Sequence, residues 1–269
     1  MSIRDLIVIL LVLLLTGCAE SAESVDTTNL SQLKQLTIKS KSKKDSLVTG
    51  HIREDAIKQA AQRVGSRAAL AAESKIINHN LMAHKEELSH TFNFRALMLD
   101  HNVLPPVLES ASQLAHLNDN RTLHVADKTY KIVKQARFVT NPPNWRDYLL
   151  MHYSPPKVPN RAVLPKNSKE QKMWQKTLDK AWHQGLDQAR NIYTDNLSRL
   201  KRDYSGMLLY RKLHAKNMVS EPYVAKANQG ITSKDNDSQL YIGDKVLRIT
   251  ALPKLNPRSQ QWKSVTTNP

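Results

Sequence analysis

Residues 168–214, SKEQKMWQKTLDKAWHQGLDQARNIYTDNLSRLKRDYSGMLLYRKLH, decide the fold. Within them Leu178, Trp182, Leu186, Ala189, Tyr193, Leu197, Leu200 and Tyr204 follow one another at steps of 4, 4, 3, 4, 4, 3 and 4. A helix brings that spacing onto one stripe, and the stripe is close to a heptad. The segment reads as one long amphipathic helix, with its aromatic members in a core before any cofactor cradle. Gly206 reads as an interruption ahead of Met207–Leu213.

Upstream, Pro155, Pro156, Pro159 and Pro165 make 154–165 an extended connection. Before it the period changes to two. Tyr130, Ile132, Ala136 and Phe138 alternate with Lys131, Val133, Gln135 and Arg137, so 123–139 predicts a strand. Lys134 is an intruder on its apolar side. Asn141-Pro142-Pro143 ends the strand, and Trp145, Tyr148, Leu149 and Leu150 suit a short helix. Residues 51–90 predict a helix with a stripe of Ile52, Ala56, Ala60, Val64, Ala68, Ala71 and Ala72. Its small side chains allow close approach of another helix, in the same chain or in a neighbour. Gly65 reads as a kink. Residues 92–118 continue as helix, broken where Pro105-Pro106 force the chain to turn.

Downstream, Tyr223–Ala227 predicts a strand. Gln239–Ile242 and Lys245–Ala251, joined at Gly243-Asp244, predict a hairpin. The polar stretch 257–269 reads as a terminal arm. The fold class is α+β: a helical body with a long amphipathic helix and a small, mainly antiparallel sheet, as one folded domain over 51–256.

The first residues carry a different signal. Leu6–Leu15 is an unbroken run of Leu, Ile and Val, followed by Thr16, Gly17 and Cys18, the single cysteine of the chain. At 1.5 Å per residue the run spans roughly 15 Å, half a bilayer core, so it is a signal-peptide core and not a spanning helix. Leu-small-Gly-Cys is a lipobox. Gly17 and Cys18 flank the cleavage site, residues 1–17 are the signal peptide, and the Cys18 thiol takes a diacylglyceryl group. Two or more acyl chains anchor stably where one does not. Ala19, rather than Asp, after the cysteine favours the outer membrane in enterobacterial-type sorting. Residues 18–50, with Lys39, Lys41, Lys43 and Lys44, read as a basic tether that is either a solvated linker or an arm ordered on assembly. A lone thiol is compatible with an oxidising periplasm.

The chain carries 40 Lys and Arg against 24 Asp and Glu, a formal charge of +16. Nucleic acid, anionic lipid and an acidic protein partner all suit that balance. The charge is spread along the chain, which weakens the nucleic-acid reading. No phosphate-binding glycine loop, G-x-S-x-G elbow or H-E-x-x-H motif occurs. His79 and His84 do not share a helix face well, so no metal site is expected. Adjacent Asp100 and His101 would point apart on a helix. Glu86 and Glu87 suit a solvated face. No catalytic constellation emerges, and no cofactor is expected beyond the lipid on Cys18. Trp145, Tyr148 and Tyr223 are candidate apolar anchors for a partner, or core residues.

Four blocks carry a resemblance. They are Leu99-Asp100-His101-Asn102-Val103-Leu104-Pro105-Pro106-Val107, residues 127–138 continuing to Pro142-Pro143-Asn144-Trp145-Arg146, residues 206–213 with Asn217-Met218-Val219-Ser220, and Val246–Pro253. With the lipobox they resemble the DotC/TraI lipoproteins of type IVB secretion (Dot/Icm) and IncI-type conjugation systems. The resemblance implies a non-enzymatic outer-membrane lipoprotein facing the periplasm, within an oligomeric secretion core complex. It implies a DotD-like lipoprotein and a DotH-like channel protein as partners, the latter assisted in assembly or outer-membrane targeting. The alternatives are an envelope hydrolase working through Asp100 or His101, and a DNA-contacting component of a conjugation channel.

Overall fold

The computed structural model describes residues 26–38, 47–119, 121–236 and 238–263. Gly17, Cys18 and most of the tether lie outside them. The described part is α+β, as expected. The sequence reading has one domain over 51–256; residue contacts instead group the chain into two compact units. One comprises residues up to Ala72 together with Ser154–Leu186, the other Glu73–Tyr153 together with residues from Asp187 on.

The first unit is helical. Leu30–Gln35 (α1) is capped by Asn29, whose side chain accepts from the Ser31 amide at 2.9 Å. It contains Leu33, which is fully buried. Leu33 packs with Ile57, Ala61, Val64 and Ala68 from Leu47–Ala83 (α2) and with Trp174 and Leu178 from Ser168–Ala215 (α5). Trp174 Nε1 donates to the Leu33 carbonyl at 3.0 Å and Gln171 Nε2 to the Lys34 carbonyl at 2.6 Å. Residues 26–38, assigned to the tether by their polarity, thus belong to the folded body. The α2 stripe is met in part: Val64, Ala68 and Ala71 are buried as predicted, but Ile52 is exposed, and Ile57, Ala61 and Ala69, outside the predicted stripe, are buried.

Gly65 does not kink α2. A Cβ there would stand 3.0 Å from the Leu178 carbonyl oxygen and the Ala181 Cβ. At Gly185 it would stand 2.3 Å from the Ser66 carbonyl oxygen. These glycines are needed for close helix packing, not for turning. Arg53 fastens the same unit, donating to both Glu170 oxygens at 3.0 and 3.2 Å and to the Ala162 and Leu164 carbonyls.

The second unit mixes helix and sheet. Lys85–Thr91 (α3) leads into a 3-10 turn over Phe94–Leu97. Val103–Leu104 (β1) pairs antiparallel with Arg137–Phe138 (β4), and Val107–Asp119 (β2) with Thr122–Lys134 (β3). The helix predicted past Pro105-Pro106 is therefore a strand. Leu108, Ala111 and Ala115 fall at helical spacing, but cross-strand pairing with β3 overrides that local pattern. Trp145–Leu149 (α4) starts with a reciprocal capping box between Asn144 and Asp147. The core gathers Leu81, Phe94, Leu97, Leu104, Val107, Trp145, Leu149, Leu200 and Met207. Tyr204 meets Phe92 and Phe94 edge-on, at 5.4 and 5.2 Å between centroids.

Helix α5 runs unbroken through Gly206, over a length of about 72 Å. A Cβ at Gly206 would lie 2.5 Å from Val107 Cγ1 and 2.7 Å from the Leu108 carbonyl oxygen, so this glycine admits the start of β2. After α5, Tyr223–Lys234 (β5) pairs antiparallel with Gln239–Ala251 (β6). The predicted turn at Gly243-Asp244 is a bulge inside β6. Asp235 and Asn236, both at positive φ, make the turn instead. Among the described residues the strands form three separate two-stranded antiparallel ribbons. Beyond β6 the chain returns to the end of α5, where the Lys263 amide donates to the Lys216 carbonyl and Asn217 Nδ2 to that of Gln261.

Candidate docking interface

The three predicted anchors have different environments. Trp145 is 1% exposed, with its indole Nε1 donating to Ser89 Oγ at 3.0 Å. Its surface role is corrected: this tryptophan is core, because α4 turns it inward below the Arg146 guanidinium, 4.4 Å from the ring centroid. Tyr148 is half-buried, stacked on Phe94, and its hydroxyl donates to Asp203 Oδ2 at 3.0 Å. Tyr223 is exposed at the first position of β5. The structure does not bring the three together.

Tyr148 instead belongs to a group that sequence reasoning missed. Asp203 is buried on α5 and accepts from Lys134 Nζ at 2.5 Å, from Tyr148 and from Arg202. Burial alone would raise the Asp203 pKa. The hydrogen bonds from Lys134, Arg202 and Tyr148 outweigh it and hold the carboxyl below its ordinary range. Burial and the Asp203 charge push the Tyr148 hydroxyl well above its ordinary value. Lys134 on the apolar side of a strand was the legible signal: an amine there needs a carboxylate. Tyr210, whose buried hydroxyl has no hydrogen-bond partner among the described residues, is pushed up to about 12, first by burial.

Asp100 and His101 are both exposed and occupy a 3-10 turn in which His101 and Asn102 have φ of 61° and 57°. The Leu99 amide donates to the Val103 carbonyl at 2.9 Å, closing this turn. Both residues line a cavity of about 370 Å³ with Arg211 and Glu221, and no serine or cysteine lines it. Residues 103–108 that follow are all buried. Among the described residues no group of three His, Cys, Asp or Glu side chains could hold a metal ion.

The largest unexplained feature is exposed apolar surface on the ribbons. On β3, Leu123 and Val125 are exposed. On β5 and β6, Ile231, Leu240 and Ile242 are 66%, 63% and 80% exposed. A two-stranded ribbon by itself is marginally stable in water. Long ribbons with uncovered apolar side chains have the physical character of docking elements.

A family model described as type IV secretory system, conjugal DNA-protein transfer, matches residues 51–264. The chain belongs to this TraI family of type IV secretory systems. The matched range takes in all three ribbons and the whole of α5. As a TraI family member the chain is a secretion- or conjugation-related component, associated with the cell envelope. Among its described residues no helix is long and apolar enough to cross a membrane. No curated protein matches the chain.

Proposed function

We propose that the protein is an outer-membrane lipoprotein scaffold of a type IVB secretion or conjugative transfer core complex. It assists the assembly or outer-membrane targeting of a DotH-like channel protein, together with a DotD-like lipoprotein. The observation that carries this reading is the pair of long ribbons with uncovered apolar side chains, within a chain whose residues 51–264 match the secretion family. The lipobox supports the anchor. Acyl chains on Cys18 confine the body beneath the outer membrane, with the body facing the periplasm, and confinement raises the effective concentration of neighbours without any new contact. The role needs no catalytic group and no cofactor.

The test is Cys18→Ser. The variant should retain its circular dichroism spectrum and leave the outer-membrane fraction. The channel protein should leave with it, and transfer of DNA or effector protein should fall at least tenfold. A channel protein that stays in the outer-membrane fraction, with transfer intact, would refute the proposal.

A further inference from the structure

We infer that one face of the β5–β6 ribbon binds a partner protein through an apolar surface that also carries carboxylates. This rests on the scaffold reading and adds the chemistry of the partner.

The register sorts the ribbon into two unlike faces. Ile231 pairs with Ile242 and Ser233 with Leu240, and Lys226 pairs with Leu247 and Asn228 with Lys245. Counting alternation through the bulges puts Ile231, Leu240, Ile242 and Leu247 on one face with Lys226 and Lys245. All four apolar residues are exposed. The opposite face is mostly small and polar, with Ala225, Ala227 and Thr232, but it also carries Tyr241 and Val246, exposed to a lesser degree than Ile231, Leu240 and Ile242, and the cations Lys234 and Arg248. There Asp244 accepts from Thr232 Oγ1 at 2.6 Å, and Lys234 stands over the Tyr241 ring at 5.0 Å.

The apolar face therefore has two ammonium groups and, among the described residues, no carboxylate. Among the described residues neither Lys226 nor Lys245 has an ion-pair partner. Covering the face desolvates both amines, which is unfavourable unless the cover brings acceptors of opposite charge. That requirement selects the occupant. A second copy offering the same face would set lysines against a face of like charge, in a chain whose net charge is already +16. A lipid interior would strand the unpaired backbone groups along both outer edges of the ribbon. A different protein, apolar with interspersed Asp or Glu, satisfies the side chains and leaves the edges free for water or for its own backbone.

Photo-crosslinking in living cells with the full lipidated chain tests this. A photoreactive residue replaces Ile242 or Leu247 on the apolar face, or Thr232 on the opposite face. The expected result is a crosslink from positions 242 and 247, at least tenfold stronger than from 232. It should run to a peptide of another protein with Asp or Glu among apolar residues. Lys226→Glu with Lys245→Glu should abolish it, while Lys226→Arg with Lys245→Arg preserves it, both variants keeping the parent's circular dichroism spectrum. Crosslinks to a second copy, to lipid alone, equally from both faces, to none, or unaffected by charge reversal would each overturn the inference. If channel localisation depends on Cys18 but the face captures nothing, the docking inference fails and the scaffold stands. If the face captures an acidic partner while Cys18→Ser changes nothing, the reverse holds.

Discussion

Asp203 concentrates the residue-scale chemistry of the second unit. Its oxygens are shared among an amine, a guanidinium and a phenol, so it cannot be protonated without disturbing all three. Because its folded-state pKa is depressed, its contribution is present above the unfolded value of about 3.9 and is lost as pH falls through the folded value. Asp203→Asn should lower stability at pH 7 by about 1–3 kcal/mol. It should also flatten the decline in stability below about pH 5. Lys134 is 46% exposed, so water screens part of the ion pair and the lower end of that range is expected. Urea melts of parent and variant at neutral and acid pH measure both effects; identical curves would mean the network is incidental. Glu170 behaves in the same sense, burial being outweighed by Arg53 and the Lys166 amide.

At the scale of elements, the helix period was legible and the glycines were not. Gly65 and Gly206 look like breaks in a sequence window, because a missing Cβ lowers helix propensity wherever it falls. Each is a place where another element comes too close for a methyl group, and that depends on residues far away along the chain. Gly185→Ala must displace the Ser66 carbonyl and should cost about 1–3 kcal/mol or more, read as a lowered melting temperature. Gly206→Ala should cost a similar amount, by pushing against Val107. Trp174→Phe removes the bond to the Leu33 carbonyl. Amide exchange in Leu30–Gln35 should then rise about fivefold, for roughly 1 kcal/mol of local stability. Unchanged exchange there would show α1 to be held by packing alone. Strand β2 was misread because its apolar residues also fit a helix, and the deciding partner, β3, lies across a turn. The docking face was hidden for a related reason: Gly243-Asp244 has the composition of a hairpin turn, and only the pairing of β5 along its full length reveals a bulge.

For the whole molecule, the α+β class and the family resemblance were readable, because runs of residues carry both. Division into two units was not, since the boundaries after Ala72 and Leu186 fall inside the continuous helices α2 and α5, and only the one before Ser154 meets a connection the sequence marks, the proline-rich 154–165. The interface candidates were partly readable: aromatic character named Trp145, Tyr148 and Tyr223, but which way a side chain points is decided by tertiary packing. The charge of +16 makes a prediction at this scale. Association of the unlipidated body with the acidic partner proposed above should slow markedly as salt rises from about 0.05 to 0.5 M. A rate independent of salt, measured by stopped flow or surface capture, would assign the basic residues a role other than steering.

The open ribbon edges also bear on supply. The two long ribbons, β2–β3 and β5–β6, each have outer edges that pair with no third strand, which makes surplus molecules templates for one another. Raising the amount of this chain alone should therefore favour edge-paired clumps over dispersed molecules, most of all where nothing covers its ribbons.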